Sequence, residues 1–334
     1  MRLMARRILV FVALAAASLA AQSKYVTPRT PWGDPDLQGT WPGTAMMGVP
    51  LERAANLGDK AVFTDEEFAA RAAQAQRQAA QDDEEFVGPR AIPTAEALLT
   101  GAGTGPPGHW GERGKPSHQT SLVVDPGNGR IPPMTAEGRA RTALIPASRY
   151  YDNSGGGVFN GPEDLSVYDR CITRGLIGSM VAIGYNAGNQ IVQGPGWVAI
   201  RNEMIHEARV IPLDGRKHLS PVIRTYMGDS VGRWDGATLV VDTTNFNGRT
   251  GIGANGRAIY HSDALHVVER FTRVDADTLQ YDARIDDPKT WTRAFTIAFP
   301  LTREPGYGMF EYACHEGNYG LRNILSAARA ADRR

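Results

Sequence analysis

The feature that most constrains the fold is a succession of short strand-like runs that begins near residue 161. Each run is rich in β-branched and aromatic residues and is bounded by turn-forming residues, a pattern typical of β-strands. Strands are predicted at 121–125, 190–193, 197–203, 207–213, 223–226, 238–243, 265–274, 279–286, 292–299 and 310–314. Most connections are too short to hold a crossover helix, so neighbouring strands should be antiparallel.

The predicted architecture is therefore mainly β, an antiparallel barrel or strongly curved sheet of the lipocalin or calycin kind. Long helices between the strands are missing, which excludes doubly wound and (β/α)8 folds. A closed barrel would leave no exposed sheet edge. The pattern Gly-x-Trp, which opens the first strand of lipocalins, occurs at Gly39-Thr40-Trp41 and again at Gly232-Arg233-Trp234.

The first 21 residues have the features of a secretory signal peptide. Arg2, Arg6 and Arg7 precede a short apolar run at 8–17, and small residues follow it. The alternative is a retained membrane anchor, although no second hydrophobic span follows. The expected location is therefore periplasmic or secreted, with no membrane span after the signal is removed.

Two further regions follow the predicted signal peptide. Residues 22–160 form an irregular N-terminal arm packed on the barrel, with a helix at about 65–81 that opens on a capping box at Thr64. A second short helix is expected at 135–144. Residues 161–334 form the barrel domain, which ends in a short helix near 318–331.

Cys171 and Cys314 are the two cysteines of the chain. An even number of cysteines in an exported protein favours a disulfide between them. A free thiol or a metal ligand is the alternative, since His315 and Glu316 follow Cys314 directly.

The charge balance excludes some partners. The 334 residues include 36 Lys and Arg against 36 Asp and Glu, and a nucleic-acid-binding protein normally carries a basic excess. The expected partner is a small-molecule ligand or substrate, and the sequence gives no indication of oligomeric state.

Several segments resemble motifs of a large, mostly uncharacterised family of exported bacterial proteins. They are PWGDPDLQGTW, SLVVDPGNGRIPP, YDRC, EMIHEARVIPLDGR, GDSVGRWDGATLVVDTTNF, HVVERFTRVDADTL, DDPKTWTR and EYACHEGNYGLRNIL. The resemblance covers almost the whole chain after the leader. It implies export and a single integrated unit, and it brings no particular reaction with it.

Acid–base chemistry needs histidines or carboxylates held together in a cleft. His206 is the predicted general acid or base, and Glu207 or Glu269 is predicted to orient it. The other predicted catalytic residues are His266 and His315. The predicted substrate-binding residues are Tyr185, Trp234, Arg209 and Asn245. The alternative is that these residues form salt bridges on partly solvated strand faces.

The cofactor is left open by the sequence. His206, His261, His266 and His315 could supply ligands to a divalent metal together with Glu207 and Glu316, but HExxH and CxxC motifs are missing. Nucleotide cofactors are not indicated. The glycine-rich segments at 154–157 and 253–256 are not phosphate loops, because neither follows a predicted strand and has a Lys-Ser/Thr after it.

The predicted function is an exported enzyme that uses His and Glu acid–base chemistry on a small organic or aromatic compound in a β-barrel pocket. The reaction would be of the lyase, hydratase, isomerase or hydrolase type. The alternatives are a lipocalin-like protein that binds an apolar molecule without catalysis, and a structural envelope protein.

Overall fold

The computed structural model describes residues 25–87, 111–112, 114–145, 159–253 and 259–333. The side chains of residues 81–87 and of His206 lie outside this description, as does the predicted signal peptide. Within the described ranges no helix is long and apolar enough to cross a membrane.

The strands of the described residues form two sheets. They are β1 (Gly39–Thr40), β2 (Val123–Asp125), β3 (Asn189–Gly194), β4 (Trp197–Asn202), β5 (Ala208–Pro212), β6 (Asp229–Asp235), β7 (Thr238–Thr244), β8 (His266–Arg273), β9 (Thr278–Asp286) and β10 (Phe295–Thr302). The small sheet has the order β1-β3-β4-β5, and the large sheet has the order β2-β10-β9-β8-β7-β6. Every pairing within both sheets is antiparallel, as predicted.

The predicted closed barrel is wrong, whereas a curved large sheet remains compatible with the structure. β5 and β6 are edge strands of different sheets and share no hydrogen-bonded register. They come close at Gly232, where an added Cβ would lie 2.7 Å from Ile211 Cγ2 and from Leu213 Cδ2. They separate toward Ala208 and Asp229, and this separation leaves a cleft between the sheets.

The core lies between the two sheets and includes part of the N-terminal arm. The predicted core face of β9, formed by Leu279, Tyr281, Ala283 and Ile285, is fully buried. Trp41 follows β1 and is also fully buried, with the Arg303 guanidinium 4.5 Å from its ring centre. The arm thus supplies β1, β2 and a large core side chain, and it is integrated into the body of the molecule.

The helices largely agree with the sequence prediction. They are α1 (Asp65–Val87), α2 (Ala136–Ala143), α3 (Leu176–Met180) and α4 (Gly320–Ala331). The capping box of α1 is formed, because Glu67 N donates to Thr64 Oγ1 and Thr64 N donates to Glu67 Oε2. α1 continues past the predicted end near residue 81.

Two predicted strands are not formed, and two observed strands, β1 and β6, were not predicted. Residues 223–226 and 310–314 run as loops held by hydrogen bonds to neighbouring segments. β6 escaped prediction because glycine and charged residues interrupt its alternation, yet it pairs with β7 along its whole length. The two-residue turn between them needs Gly236, which has φ +62°.

Candidate functional site

Three segments distant in sequence meet where β3 begins and β4 ends. They comprise residues 182–188, 203–207 and 307–314, and we call this region the polar end. Glu203 N donates to Gly188 O at 2.9 Å, which joins the first two segments. This end of the small sheet therefore gathers polar side chains from two neighbouring segments and from a third, whose Tyr307 lies 104 residues after Glu203.

The backbone of the polar end is strained at two positions. Ile205 is buried and has φ +57°, and Asn186 has φ +51°. A β-branched residue at positive φ is a genuine outlier that the surrounding structure must hold in place. Strain of this kind concentrates at functional sites, so it supports a functional role for the Met204–His206 turn.

Glu203 is the buried carboxylate at the centre of the polar end. Its Oε2 accepts from the Tyr307 hydroxyl at 2.7 Å and from Gly188 N at 3.2 Å. Its Oε1 accepts from Phe310 N at 2.9 Å and from Asn186 Nδ2 at 3.1 Å. Four donors are thus aimed at one carboxyl group.

Tyr307 connects Glu203 to a second carboxyl group, that of Glu112. The Tyr307 hydroxyl lies 3.1 Å from Glu112 Oε1, and Ala187 N donates to the same oxygen at 3.1 Å. Burial raises the pKa of Glu112, and the nearby Glu203 charge adds to this effect. Within the described part of the chain Glu112 Oε2 has no hydrogen-bond partner.

Glu112 lines a cavity of about 600 Å³ between α1 and the polar end. The cavity is lined by the side chains and backbone of Met47, Val49, Arg71, Gln74, Gln78, Lys115, Ile183 and Gly184, among others. A carboxyl group with a raised pKa in the wall of a mixed polar and apolar cavity has the physical features of a catalytic acid.

The other side of the polar end holds Tyr168, Tyr185 and Tyr312, which we call the tyrosine cluster. The hydroxyls of Tyr168 and Tyr185 are 3.0 Å apart, and Tyr312 is hydrogen-bonded to both. Burial raises the pKa of Tyr168 far above its usual range, so its phenol stays protonated. Arg174 lies beside the cluster, and burial lowers its pKa to about 10.

Three predicted site residues lie at or beside the polar end. Tyr185 belongs to the tyrosine cluster, and Glu207 Oε2 accepts a hydrogen bond from Thr173 Oγ1. His206 ends the strained turn, but its side chain lies outside the described atoms. Its predicted role as acid or base stays a prediction.

The predicted disulfide between Cys171 and Cys314 is confirmed. It ties the loop after residue 307 to the segment that carries Tyr168 and Arg174. His315 follows the disulfide in an exposed loop, and its carbonyl accepts a hydrogen bond from Asn318 N.

His266 lies in a different cluster, on the outer face of the large sheet. Its Nε2 is 2.9 Å from Asp242 Oδ2, and the other Asp242 oxygen is 2.9 Å from His218 Nε2. His218 Nδ1 is in turn 2.9 Å from Asp229 Oδ2. His266 and Glu207 therefore have different partners, Asp242 on β7 and Thr173 in the segment before α3.

Arg209 and Glu269, predicted to bind substrate and to act in catalysis, are bonded to each other. Arg209 Nη1 and Nη2 donate to Glu269 at 2.5 and 2.7 Å, and Tyr281 donates to Glu269 Oε1 at 2.9 Å. Burial opposes the charge on Arg209, but Glu269 outweighs this effect, so the pKa of Arg209 is raised. This buried pair links β5 of the small sheet to β8 of the large sheet.

Arg209 also lines the cleft between β5 and β6, which measures about 730 Å³. Its other lining residues include Trp197, Val210, Pro212, Lys217, Leu219, Met227 and Asp229. The cleft is thus mainly apolar, with a few charged groups at its rim and base.

Asn245 and Trp234, the remaining predicted substrate-binding residues, have local roles in the structure. Asn245 has φ +60°, and its Nδ2 donates to Leu219 O at 3.0 Å, which pins the loop before β6. Trp234 packs against the core from β6.

Among the described side chains, no three His, Cys, Asp or Glu groups converge as metal ligands. No protein-family model, curated protein or solved structure matches the chain.

Sequence reasoning missed the main residues of the polar end: Glu112, Tyr168, Arg174, Glu203 and Tyr307. Arg174 offered one signal, because it precedes an otherwise apolar run at 176–183. Glu112 and Tyr307 lie in glycine-rich loops with no periodic pattern, so only the tertiary structure brings them together.

Proposed function

We propose that this protein is an exported enzyme that performs acid–base chemistry on a small organic compound in the cavity beside Glu112. The observation that carries the proposal is the array Glu203–Tyr307–Glu112, in which one tyrosine hydroxyl lies between two carboxyl groups. Export is supported by the N-terminal leader pattern and by the disulfide.

The array assigns protons to its members. A tyrosine hydroxyl has one proton to donate, and the 2.7 Å distance gives that proton to Glu203. The 3.1 Å contact between Tyr307 and Glu112 then becomes a hydrogen bond when Glu112 is protonated and donates. The raised pKa of Glu112 agrees with this assignment.

A protonated carboxyl group in a cavity wall is suited to general acid catalysis near neutral pH. Glu112 would donate a proton to the bound compound and recover it through Tyr307. Protonation of a leaving group or carbonyl oxygen begins lyase, hydratase, isomerase and hydrolase reactions alike, so the proposal covers this group of reactions.

The cavity lining indicates a substrate with both polar and apolar parts. Lys115 forms an ion pair with Glu304 at 3.1 Å, and the Arg71 guanidinium lies 4.4 Å from the centre of the Phe63 ring. Met47, Val49 and Ile183 supply the apolar lining. A compound with an oxygen function next to a hydrocarbon part fits this wall.

The proposal is tested by turnover of a small-molecule mixture. Wild-type protein, Glu112→Gln and the matched surface variant Glu66→Gln are each incubated with a bacterial metabolite extract, and the compounds are followed by mass spectrometry. We expect at least one compound to be consumed by wild type and Glu66→Gln at equal rates and by Glu112→Gln at least about a hundredfold more slowly. Equal consumption by all three proteins, or none by any of them, would refute the proposal.

A binding role without catalysis is the second candidate, and the apolar cleft between β5 and β6 favours it. Trp197 is partly exposed in this cleft, so its fluorescence would report a bound apolar molecule. A compound that quenches Trp197 fluorescence, remains chemically unchanged and binds Glu112→Gln equally well would support this carrier role.

A further inference from the structure

The outer edge of β5 carries backbone groups without a hydrogen-bond partner among the described residues. Hydrogen-bonded pairs recur at every second position of an antiparallel ladder. Leu213 N donates to Gly196 O at 2.8 Å just past the end of β5, and this bond fixes the alternation. The odd-numbered residues of β5 therefore turn their backbone N–H and C=O groups toward β4. Those of Ala208 and Val210 point the other way, into the cleft between β5 and β6.

The other outer strands are either short or covered, unlike β5. β1 has 2 residues. At β2, Val123 N donates to Leu51 O at 3.0 Å, so a neighbouring segment supplies a partner for that strand. β5 and β6 instead face each other across the cleft without pairing. Proteins usually blunt an open edge because it templates pairing with another chain, whereas β5 presents Val210 with 66% of its surface exposed.

The cleft beside this edge combines an apolar lining with a cation that lacks a carboxylate partner. Val210, Leu219 and Met227 supply apolar surface, and Lys217 lines the cleft with them. The other charged lining residues each have a partner outside the lining: Arg209 with Glu269, Arg216 with Asp214, and Asp229 with His218. Lys217 forms no ion pair with any residue that the structure describes. The charge of the cleft therefore favours an acidic occupant.

We propose that the cleft binds an extended acidic peptide segment, which adds to β5 as a further strand. Strand addition satisfies the free N–H and C=O groups of the edge, which an apolar small molecule leaves unpaired. The apolar lining accepts side chains of the segment, and Lys217 pairs with one of its carboxylates. β5 has 5 residues, and the two edges close together at Gly232, so the added strand is short.

This inference is independent of the proposed acid–base function. The cleft shares no lining residue with the cavity beside Glu112. Peptide binding and turnover can therefore be lost separately, and the peptide binding of Glu112→Gln should equal that of wild type.

The proposal is tested with the capped peptide acetyl-Val-Glu-Val-Glu-Val-amide, which is labelled with a fluorophore and titrated by fluorescence anisotropy. Wild type should bind this peptide saturably. The same peptide with methylated amide nitrogens should bind at least about tenfold more weakly, because it lacks the donors of a strand edge. A peptide with lysine in place of glutamate should bind at least about threefold more weakly, because it meets Lys217 with a like charge.

Two pairs of variants locate the binding. Val210→Pro removes the N–H that faces the cleft and leaves the ladder with β4 intact, so it should weaken binding at least about tenfold. Val210→Thr keeps this N–H and the branched side chain, and it should bind as wild type does. Lys217→Gln should weaken binding about threefold, and Lys60→Gln, outside the cleft, should leave it unchanged.

Absence of saturable binding, or unchanged affinity in both Val210→Pro and Lys217→Gln, would overturn the proposal. Equal affinity for the methylated peptide would also overturn it and would indicate an apolar molecule as the occupant. A second measurement needs no substitution, since the peptide should slow amide hydrogen exchange at Ala208 and Val210 of wild type. Unchanged exchange at both amides would contradict strand addition. Slow exchange that appears without peptide at high protein concentration would assign the edge to a second copy of the chain instead.

Discussion

At the scale of single residues, Asp242 shows how one carboxylate sets the charge of its neighbours. It bridges His218 and His266 with one oxygen to each. Burial lowers the pKa of His218, but hydrogen bonds to Asp229 and Asp242 raise it by more, so the net shift is upward. Charged His218 therefore stabilises the fold below the histidine pKa of the unfolded chain, and this stabilisation is lost as the pH rises through the folded pKa.

We expect Asp242→Asn to lower the pKa of His218, because the amide keeps the shape but removes the negative charge. The measurement is an NMR titration of the histidine Cε1–H signals. Asp235→Asn, on the same face of the large sheet and paired with Arg270, serves as the control. An unchanged His218 titration in Asp242→Asn would contradict this account.

Single residues were the least predictable level from sequence. The alternation of β8 placed Glu269 on one face with Val267 and Phe271, and the structure shows that this is the core face. A charged residue on such a face is equally compatible with a catalytic role and with a structural role. The sequence does not distinguish these roles for Glu269, since it does not reveal the partner Arg209. Asp242 and His218 are close only because a loop before β6 folds back over the sheet.

At the scale of elements, the Arg209–Glu269 ion pair joins two sheets that have no hydrogen-bonded strand pairing between them. Removing one partner of a buried ion pair leaves the other charge uncompensated. We expect Glu269→Gln to lower the free energy of unfolding by about 3–5 kcal/mol, measured by urea denaturation at neutral pH. Asp286→Asn, which breaks the exposed pair with Arg284, should cost less than about 1 kcal/mol.

A similar small loss for both variants would show that the pair does not hold the sheets together. The double variant Arg209→Met/Glu269→Leu, which removes both charges, should recover part of the stability lost in Glu269→Gln. This recovery separates the cost of an unpaired charge from the cost of altered packing.

The elements themselves were largely predictable, and the sheet arrangement was not. Alternation located β8 and β9, and the capping box located α1, because these signals are local. The gap between β5 and β6 depends on how far two edges diverge after Gly232, which no local pattern encodes. The sequence thus predicted an antiparallel barrel or a strongly curved sheet, and the structure has two antiparallel sheets without a closed barrel.

At the scale of the whole molecule, the disulfide joins positions 143 residues apart. Such a long closed loop restricts the unfolded chain strongly, with about 4–5 kcal/mol expected from the entropy model. We expect the Cys171→Ser/Cys314→Ser protein to have a free energy of unfolding lower by about this amount, measured by urea denaturation.

We also expect limited proteolysis of the double variant to release residues 303–333 first, because few of their side chains are buried.

The control is wild-type protein in which a reducing agent has opened the disulfide. It should unfold at the same urea concentration as the double variant. If the oxidised, reduced and double-variant proteins unfold at the same urea concentration, the disulfide has no role in stability. If protease cleaves the double variant elsewhere first, the C-terminal segment is not the part of the molecule that the disulfide stabilises.

The polar end belongs to this scale because segments 182–188, 203–207 and 307–314 meet there. The sequence predicted Tyr185 and Glu207 as site residues and Cys171–Cys314 as a disulfide, but it did not predict that they lie in one region. Glu203 and Tyr307 lie 104 residues apart, so their contact arises from the fold of the whole chain and could not be predicted from spacing.

The most direct test of the central claim is the titration of Glu112 by 13C NMR of labelled glutamate carboxyl groups, with the signal assigned by its loss in Glu112→Gln. We predict a pKa above the ordinary glutamate range and a lower value in Glu203→Gln, because a like charge is removed. Correspondingly, wild type should lose stability relative to Glu112→Gln as the pH rises from the unfolded to the folded pKa. An ordinary Glu112 titration that Glu203→Gln leaves unchanged would contradict the account of the polar end as a proton-donating site.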